Sequence, residues 1–327
     1  MPRRWIGGTS REHGCRLGEP LVSAAVDTCV DLGGIALRNP VLTASGTFGY
    51  GTEFAPFLDL TTIGGFVAKS LTVEPRTGNL PNRIHETPSG MLNAIGLENV
   101  GVDAFIAEKL PEIPDGVPVV ASVFGTAPSE YVEVCKRLTG VPKVAGIEIN
   151  ASCPHVKAGG IEFGQNAELL AGLVRECRAA TSLPLLVKLS PNVTRIADMA
   201  RVAEAEGADG LAMINTLQAL DVDLATRRPV LRNVLGGLSG PAILPVALRM
   251  VWQASQSVAI PICGIGGIST AEDAIKFLLC GATAVQVGTA SYLNPMAAGE
   301  VAAGIEAWCA EQGVAAVRDL VGGLELP

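Results

Sequence analysis

Leu183-Pro-Leu-Leu-Val-Lys188 is the stretch that most clearly predicts the fold of this chain. A proline opens a short apolar strand directly after a helical pattern, and a charged side chain ends it. Two other stretches open a strand in the same way, Val117-Pro-Val-Val120 and Ile260-Pro-Ile-Cys263. Strands that are apolar along their whole length are typical of a parallel sheet covered on both faces.

Eight such strands are predicted in all, at residues 41–45, 66–70, 118–122, 146–150, 185–189, 210–215, 261–264 and 284–288. Amphipathic helical patterns lie between most of them, at residues 102–109, 129–138, 166–180, 195–206, 242–254 and 271–279, and a last helix is predicted at 295–311. This alternation indicates βαβ units. Eight units favour a (β/α)8 TIM barrel, an α/β fold with a parallel eight-stranded barrel, over a doubly wound open sheet.

The composition is that of one large globular domain. The chain has 327 residues, of which 48% are hydrophobic and 17% are charged, and α/β barrels of this size form single domains. We expect one barrel domain over residues 28–327, preceded by a polar, flexible extension at residues 1–27. The apolar stretch at residues 21–26 is too short for the hydrophobic region of a signal peptide.

Charge and cysteine usage exclude several functional classes. There are 24 basic and 32 acidic residues, a net charge of -8, which argues against nucleic acid or an anionic membrane as a partner. No apolar run approaches the length of about 18 residues that a transmembrane helix needs. The eight cysteines show no metal-ligand pairing, and His13, His85 and His155 lie far apart. We therefore expect a cytoplasmic protein with reduced thiols and no metal site.

Polar residues follow the predicted strands at the end where barrel enzymes place their active sites. They are Ser45, Lys69, Ser70, Ser122, Asn150, Lys188, Asn215 and Thr216. Barrel packing alone gives no reason for this coincidence. A lysine at such a position suits an anionic cofactor or a negatively charged reduced ring, and the alternative is a solvated lysine at a strand end.

Two glycine-containing turns follow the seventh and eighth strands. They are Cys263-Gly-Ile-Gly-Gly-Ile268 and Gln286-Val-Gly-Thr289. Loops at these places often bind phosphate in barrels, because backbone N–H groups without bulky side chains can approach its oxygens. The spacing is not that of a dinucleotide fingerprint. The alternative is two tight turns without a ligand.

Asn150-Ala-Ser-Cys-Pro-His-Val-Lys157 carries a thiol on the loop after the fourth strand. A cysteine among polar residues on such a loop is placed for chemistry, although a buried structural thiol is the alternative. The stretch Gly90-Met-Leu-Asn-Ala-Ile-Gly96 is too apolar for an exposed loop. It predicts a segment that folds over a ligand, a β-hairpin that caps the barrel, or both.

Together these residues resemble the dihydroorotate dehydrogenases, flavin-dependent enzymes of pyrimidine biosynthesis. The likeness runs from about residue 28 to 312. The segments that carry it are Ala44-Ser-Gly-Thr-Phe-Gly49, Ala68-Lys-Ser70, Met91-Leu-Asn-Ala-Ile-Gly-Leu97, Ser152-Cys-Pro154, Val187-Lys-Leu-Ser-Pro191, Ile214-Asn-Thr216, Gly236-Gly-Leu-Ser-Gly-Pro-Ala242 and Gly264-Ile-Gly-Gly-Ile268. Cysteine at position 153 indicates the soluble class 1, and the amino-acid sequence at residues 93–97 and 236–241 resembles that of subclass 1B.

The resemblance implies a role for each residue of the site. Cys153 is the base that removes the C5 proton of dihydroorotate, while a hydride passes from C6 to FMN. The substrate, and orotate as product, are held by Lys69, Asn93, Ala94, Ile95, Gly96, Leu97, Asn150, His155, Asn215 and Thr216. FMN is bound by Ser45, Lys69, Ser70, Ser122, Asn150, Lys188, Ile214, Gly240, Gly266, Gly267, Gly288 and Thr289. Lys188 stabilises the negative charge of the reduced flavin.

Subclass 1B also implies partners: a homodimeric core and a second subunit that carries FAD and a [2Fe–2S] cluster and passes electrons to NAD. Subclass 1A enzymes instead use fumarate. Two positions depart from the family, which usually has asparagine at His155 and an amide at Ser122. The histidine brings in an alternative, a reductase of uracil-type pyrimidines, and a barrel that serves only as a scaffold is a further one.

Overall fold

The computed structural model of the chain describes residues 25–151 and 163–327. Its centre is a sheet of eight parallel strands: β1 (Val41–Thr43), β2 (Phe66–Val67), β3 (Val119–Val123), β4 (Val144–Asn150), β5 (Leu185–Lys188), β6 (Gly210–Met213), β7 (Ile262–Ile265) and β8 (Ala284–Val287). From β2 to β8 each strand pairs with the next one along the chain, and β8 pairs with β1. Leu42 and Gly65 close the sheet between β1 and β2, so the predicted (β/α)8 barrel is confirmed and the open sheet is wrong.

Helices surround the barrel. They are α1 (Val102–Ala104), which continues as a π-helix at Phe105–Lys109, α2 (Pro128–Leu138), α3 (Ala167–Ala180), α4 (Ile196–Ala205), α5 (Leu244–Ser255), α6 (Ala271–Leu279), α7 (Ala290–Leu293) and α8 (Ala297–Gln312). Their ends carry recognisable caps. Asn166 accepts hydrogen bonds from the amides of Glu168 and Leu169, and Gly313 ends α8 in the left-handed conformation that glycine favours. Between β1 and β2 the chain forms 3-10 turns, Thr52–Phe54 and Leu60–Thr62, instead of an α-helix.

The interior of the barrel is layered, because alternate residues of a strand point to the same side. Its lower layer, toward the amino ends of the strands, is apolar and consists of Leu42, Val67, Val120, Leu186, Cys263 and Ala284. A hairpin of two short strands, Val30–Asp31 and Ala36–Leu37, packs against this layer. Leu32 and Ile35 of the hairpin are buried, so apolar side chains fill the lower end of the barrel.

A small antiparallel sheet lies beside the carboxyl ends of the barrel strands. Its strands pair in the order Leu217–Ala219, Gly236–Ser239, Gly90–Asn93 and Ile84–Thr87. We call these four strands the accessory sheet. Next to it, Val222–Asp223 pairs with Arg228–Pro229. The accessory sheet joins segments far apart in sequence, since Asn93 lies opposite Gly237.

Asp27, near the start of the described chain, is held by a hydrogen bond and an ion pair. Its amide donates to the carbonyl of Ala315 at 2.9 Å, and its carboxylate pairs with Arg318. The rest of the predicted extension, residues 1–24, lies outside the described residues. Within residues 25–151 and 163–327, no helix combines the length and the apolar character needed to cross a membrane.

Candidate functional site

Two connected cavities open at the carboxyl ends of the barrel strands. The larger encloses about 950 Å³, including the open space at its mouth, and the smaller encloses about 540 Å³. Both are lined by Ser45, Thr47, Lys188, Asn215, Thr216 and Ser239. The larger extends beneath the accessory sheet, whereas the smaller extends to the turns after β7 and β8. The pair thus forms one elongated site.

The smaller cavity is built from glycine-rich backbone. Gly240, Gly266, Gly267, Gly288 and Thr289 line it. Gly267 has φ of +79°, and a Cβ there would lie 2.8 Å from the backbone nitrogen of Leu244. Gly240 has φ of +93°, and its Cβ would lie 2.7 Å from the Cα of Gly90. These positions therefore require glycine, and they expose backbone to the cavity.

The amides of this cradle are available to a ligand. Within the described chain, the N–H groups of Gly267, Gly288 and Thr289 donate to no protein acceptor. Converging N–H groups with no side chain in front of them form an anion-binding concavity. The geometry of the smaller cavity suits a phosphate group.

A chain of hydroxyl and amide groups runs along one side of the larger cavity. The hydroxyls of Ser122 and Ser70 are 2.9 Å apart, and the amide nitrogen of Asn150 donates to the Ser70 hydroxyl at 3.1 Å. The amide nitrogen of Asn215 donates in turn to the amide oxygen of Asn150 at 3.3 Å. Tyr131, from α2, fixes the strand end by donating to the Asn150 carbonyl at 3.0 Å. The side chains of Ser70, Asn150 and Asn215 are thereby held in one orientation at the cavity.

Two lysines place positive charge at the larger cavity. Burial lowers the pKa of Lys69 below its ordinary value, because desolvation disfavours the charged ammonium. Lys188 is only 4% exposed, and its ammonium donates to the Ser45 hydroxyl at 3.2 Å. Lys188 lines both cavities, so its charge lies where they join.

Below Lys188 lies a carboxylate that the sequence did not mark as part of the site. Glu148 of β4 is fully buried, and its Oε1 lies 3.7 Å from the Lys188 ammonium. Its Oε2 accepts a hydrogen bond from the amide of Gln286 on β8 at 2.8 Å. The glutamate is unusual inside the apolar run Gly146-Ile-Glu-Ile, and this could have marked it as functional. Its partners lie on other strands and could not be predicted from the local sequence.

The structure brings most of the predicted site residues to the two cavities. Those that line a cavity are Ser45, Lys69, Ser70, Asn93, Ile95, Gly96, Leu97, Asn150, Lys188, Ile214, Asn215, Thr216, Gly240, Gly266, Gly267, Gly288 and Thr289. Ser122 and Ala94 are buried behind the cavity wall. Both backbone groups of Ala94 are used within the protein, by Arg83 and Asn79. Cys153 and His155 lie outside the described residues.

Several lining residues were missed by the sequence analysis. Ile84, Met91 and Tyr292 form apolar surface in the larger cavity, and Thr47 and Ser239 add hydroxyls. Tyr292 follows the glycine turn after β8. Ile84 and Met91 lie on two paired, antiparallel strands of the accessory sheet. Their positions depend on long-range strand pairing, for which the local sequence carries no signal. The described residues contain no cluster of three potential metal ligands.

Comparison with known proteins is consistent with this site. The family described as dihydroorotate dehydrogenase matches residues 28–308. A protein of Trichlorobacter lovleyi is 58% identical over 297 residues, which cover 90% of this chain and 98% of that protein. Proteins of Pelobacter propionicus and Geotalea daltonii are 57% and 55% identical and cover 91% and 93% of this chain, and 99% and 100% of their own lengths. All three are named dihydroorotate dehydrogenase B (NAD(+)), catalytic subunit.

Proposed function

The chain belongs to the dihydroorotate dehydrogenase family, and from this premise we propose that it oxidises dihydroorotate to orotate in pyrimidine biosynthesis. We propose further that it is the catalytic subunit of an NAD-linked enzyme, as its relatives are named. The observation that carries the proposal is the joined pair of cavities, one cationic and amide-lined, the other a glycine cradle.

The residues of the smaller cavity fit FMN. Its phosphate would be held by the free amides of Gly267, Gly288 and Thr289 beside Gly266, with no side chain in the way. Its ring would extend toward Lys188, at the junction with the larger cavity. When bound, FMN supplies the hydride acceptor that no amino-acid side chain can provide. The further proposed cofactor contacts are Ser45, Lys69, Ser70, Ser122, Asn150, Ile214 and Gly240.

The larger cavity fits a small cyclic acid with ring amides. Asn93, Asn150 and Asn215 offer both donors and acceptors, as the ring amides of a pyrimidine require. The half-buried ammonium of Lys69 would pair with the carboxylate of the substrate. Ile95, Gly96 and Leu97 lie on the same wall and would close one face of the ring. The protein thus orients the substrate by paired polar groups and keeps water from its faces with apolar ones.

The proposed base is Cys153. The fourth barrel strand ends at Asn150, which lines the cavity, and Cys153 follows it by three positions in the sequence. A thiolate is the form able to take a proton, and Cys153 would remove it from C5 of dihydroorotate. The departing hydride comes from C6 of the same molecule.

Electrons must then leave through another chain. The relatives are named as catalytic subunits that use NAD, which implies a partner subunit. We propose that this partner carries FAD and a [2Fe–2S] cluster, and that two copies of the present chain form the core of the complex.

The test is anaerobic addition of dihydroorotate to the purified chain. The proposal predicts a yellow protein whose flavin absorbance bleaches as orotate forms. A yellow protein that is bleached only by another dihydropyrimidine would overturn the substrate and keep the flavin barrel. A colourless protein that cannot be reconstituted with FMN would overturn the proposal altogether.

A further inference from the structure

Glu148 is a charged group inside the barrel for which the proposed reaction has no use. It is 0% exposed and lies two residues before Asn150 on β4, one layer below the cavity. Its two oxygens have different neighbours. Oε2 accepts from the Gln286 amide at 2.8 Å, and Oε1 faces the Lys188 ammonium at 3.7 Å.

Lys188 is thereby held between two layers of the barrel. Below it lies the Glu148 carboxylate, and above it lies the Ser45 hydroxyl, which accepts from its ammonium at 3.2 Å. The ammonium is at the junction of the two cavities, where the proposed flavin ring would meet the substrate. A negative charge fixed beneath the lysine therefore changes the potential that the ring experiences.

Stability does not account for this arrangement. Burying two charges costs several kcal/mol per ion, and apolar residues of the same volume often replace a buried ion pair without loss. The layer directly below shows that apolar residues serve well inside this barrel, since it is filled by Leu42, Val120, Leu186 and similar side chains. The carboxylate is better explained by its effect on Lys188.

We propose that Glu148 is a positioning residue that acts through Lys188. It fixes the ammonium at the cavity junction and offsets its positive charge. It thereby keeps the reduction potential of the bound flavin low enough for electrons to pass to a low-potential acceptor such as NAD. The proposal rests on the proposed function, because it requires FMN in the cavities.

The consequence of removing the charge has a definite sign. In Glu148→Gln the shape of the side chain is kept, and Lys188 acts on the ring without a counter-charge. The uncompensated ammonium stabilises reduced flavin, which is negatively charged, relative to oxidised flavin. We expect a shift of at least tenfold in the ratio of reduced to oxidised flavin at a fixed potential, which is about 30 mV for a two-electron couple.

The experiment is an anaerobic titration of the flavin against reference dyes, in the wild-type chain and two variants. The first variant is Glu148→Gln. The second, Glu148→Gln/Gln286→Glu, exchanges the carboxylate and the amide, so that the negative charge returns to the same hydrogen-bonded pair. The midpoint potential should rise in the first and return most of the way in the second. Melting temperature and FMN affinity are measured in parallel to confirm that all three proteins are folded.

Each outcome decides the question. An unchanged or lowered potential in Glu148→Gln overturns the proposal, and so does an equal rise in both variants, since a packing defect would not distinguish them. If Glu148→Gln loses its flavin, the exchange variant decides: recovery of flavin supports the role of charge, and failure overturns it. A wild-type chain that lacks FMN or does not oxidise dihydroorotate contradicts the proposed function instead, which is read from the wild-type sample alone.

Discussion

Replacing Gly267 by alanine tests whether the backbone cradle after β7 binds the phosphate of FMN. Gly267 has φ of +79°, where an L residue costs roughly 1–2 kcal/mol. Its new Cβ would lie 2.7 Å from the Cβ of Leu244 and 2.8 and 2.9 Å from the nitrogen and Cα of the same residue. Leu244 begins α5, so its backbone cannot move aside without displacing the helix.

The magnitude follows from two contributions. Overpacking of this kind costs about 1–3 kcal/mol, which with the backbone strain gives a loss of about 2–5 kcal/mol in the free energy of unfolding. The collision with Leu244 also pushes the turn away from α5, and this movement displaces the amides of Gly266 and Gly267. We expect the dissociation constant of FMN to rise at least tenfold, equivalent to about 1.4 kcal/mol of lost binding energy.

Gly313→Ala is the matched control. Gly313 has φ of +70°, but a Cβ there would meet no atom within 4 Å. It carries the same backbone strain without the collision, and it ends α8 away from the cavities. The assay is urea unfolding of the flavin-free proteins, followed by FMN titration monitored by flavin fluorescence. Equal unfolding midpoints for the two variants, together with wild-type FMN affinity in Gly267→Ala, would refute the reasoning.

Three further predictions concern the larger cavity. Cys153→Ser should lower turnover at least 100-fold and keep the flavin, whereas Cys29→Ser, at an exposed site, should do neither; equal turnover of both variants would contradict the role of the base. Burial lowers the pKa of Lys69 in the folded protein. Between that lowered pKa and 10.5 the unfolded chain binds more protons than the folded one, so the free energy of unfolding rises with pH. Lys69→Met should be more stable than wild type at neutral pH and should lack this rise; a urea midpoint of the variant that still rises with pH would contradict the prediction. Tyr131→Phe should cost about 1–3 kcal/mol, because the Asn150 carbonyl loses a buried donor, while Tyr292→Phe, whose hydroxyl is 3.4 Å from the Gly46 carbonyl, should cost much less; equal urea midpoints would count against the assigned bond.

The barrel itself was predictable because its information is local. Each strand is a short apolar run, and each ends in a polar or glycine residue, as at Lys188 and Gly288. All eight strands and most helices therefore appear at or within a few residues of the predicted positions. The exception is the connection after β1, where 3-10 turns replace a helix and no helical pattern was present to predict one.

The accessory sheet and the lower hairpin were not predictable as such. The residues of the hairpin segment 90–93 were expected to cap the barrel, but their pairing with Gly236–Ser239 is formed across 144 positions of sequence, as the Asn93–Gly237 bond shows. The hairpin strands Val30–Asp31 and Ala36–Leu37 have two residues each, too few to show any periodicity. Long-range pairing depends on the assembled barrel, so local sequence carries little of it.

Among the described residues, apolar side chains close the lower end of the barrel. Leu32 and Ile35 of the hairpin, with Leu42, Val67 and Val120 above them, leave no polar route along the barrel axis. Under the proposed function, substrate and product would enter and leave through the mouth at the carboxyl ends of the strands, so orotate would leave before the next substrate binds. An electron-accepting partner would dock without covering that mouth.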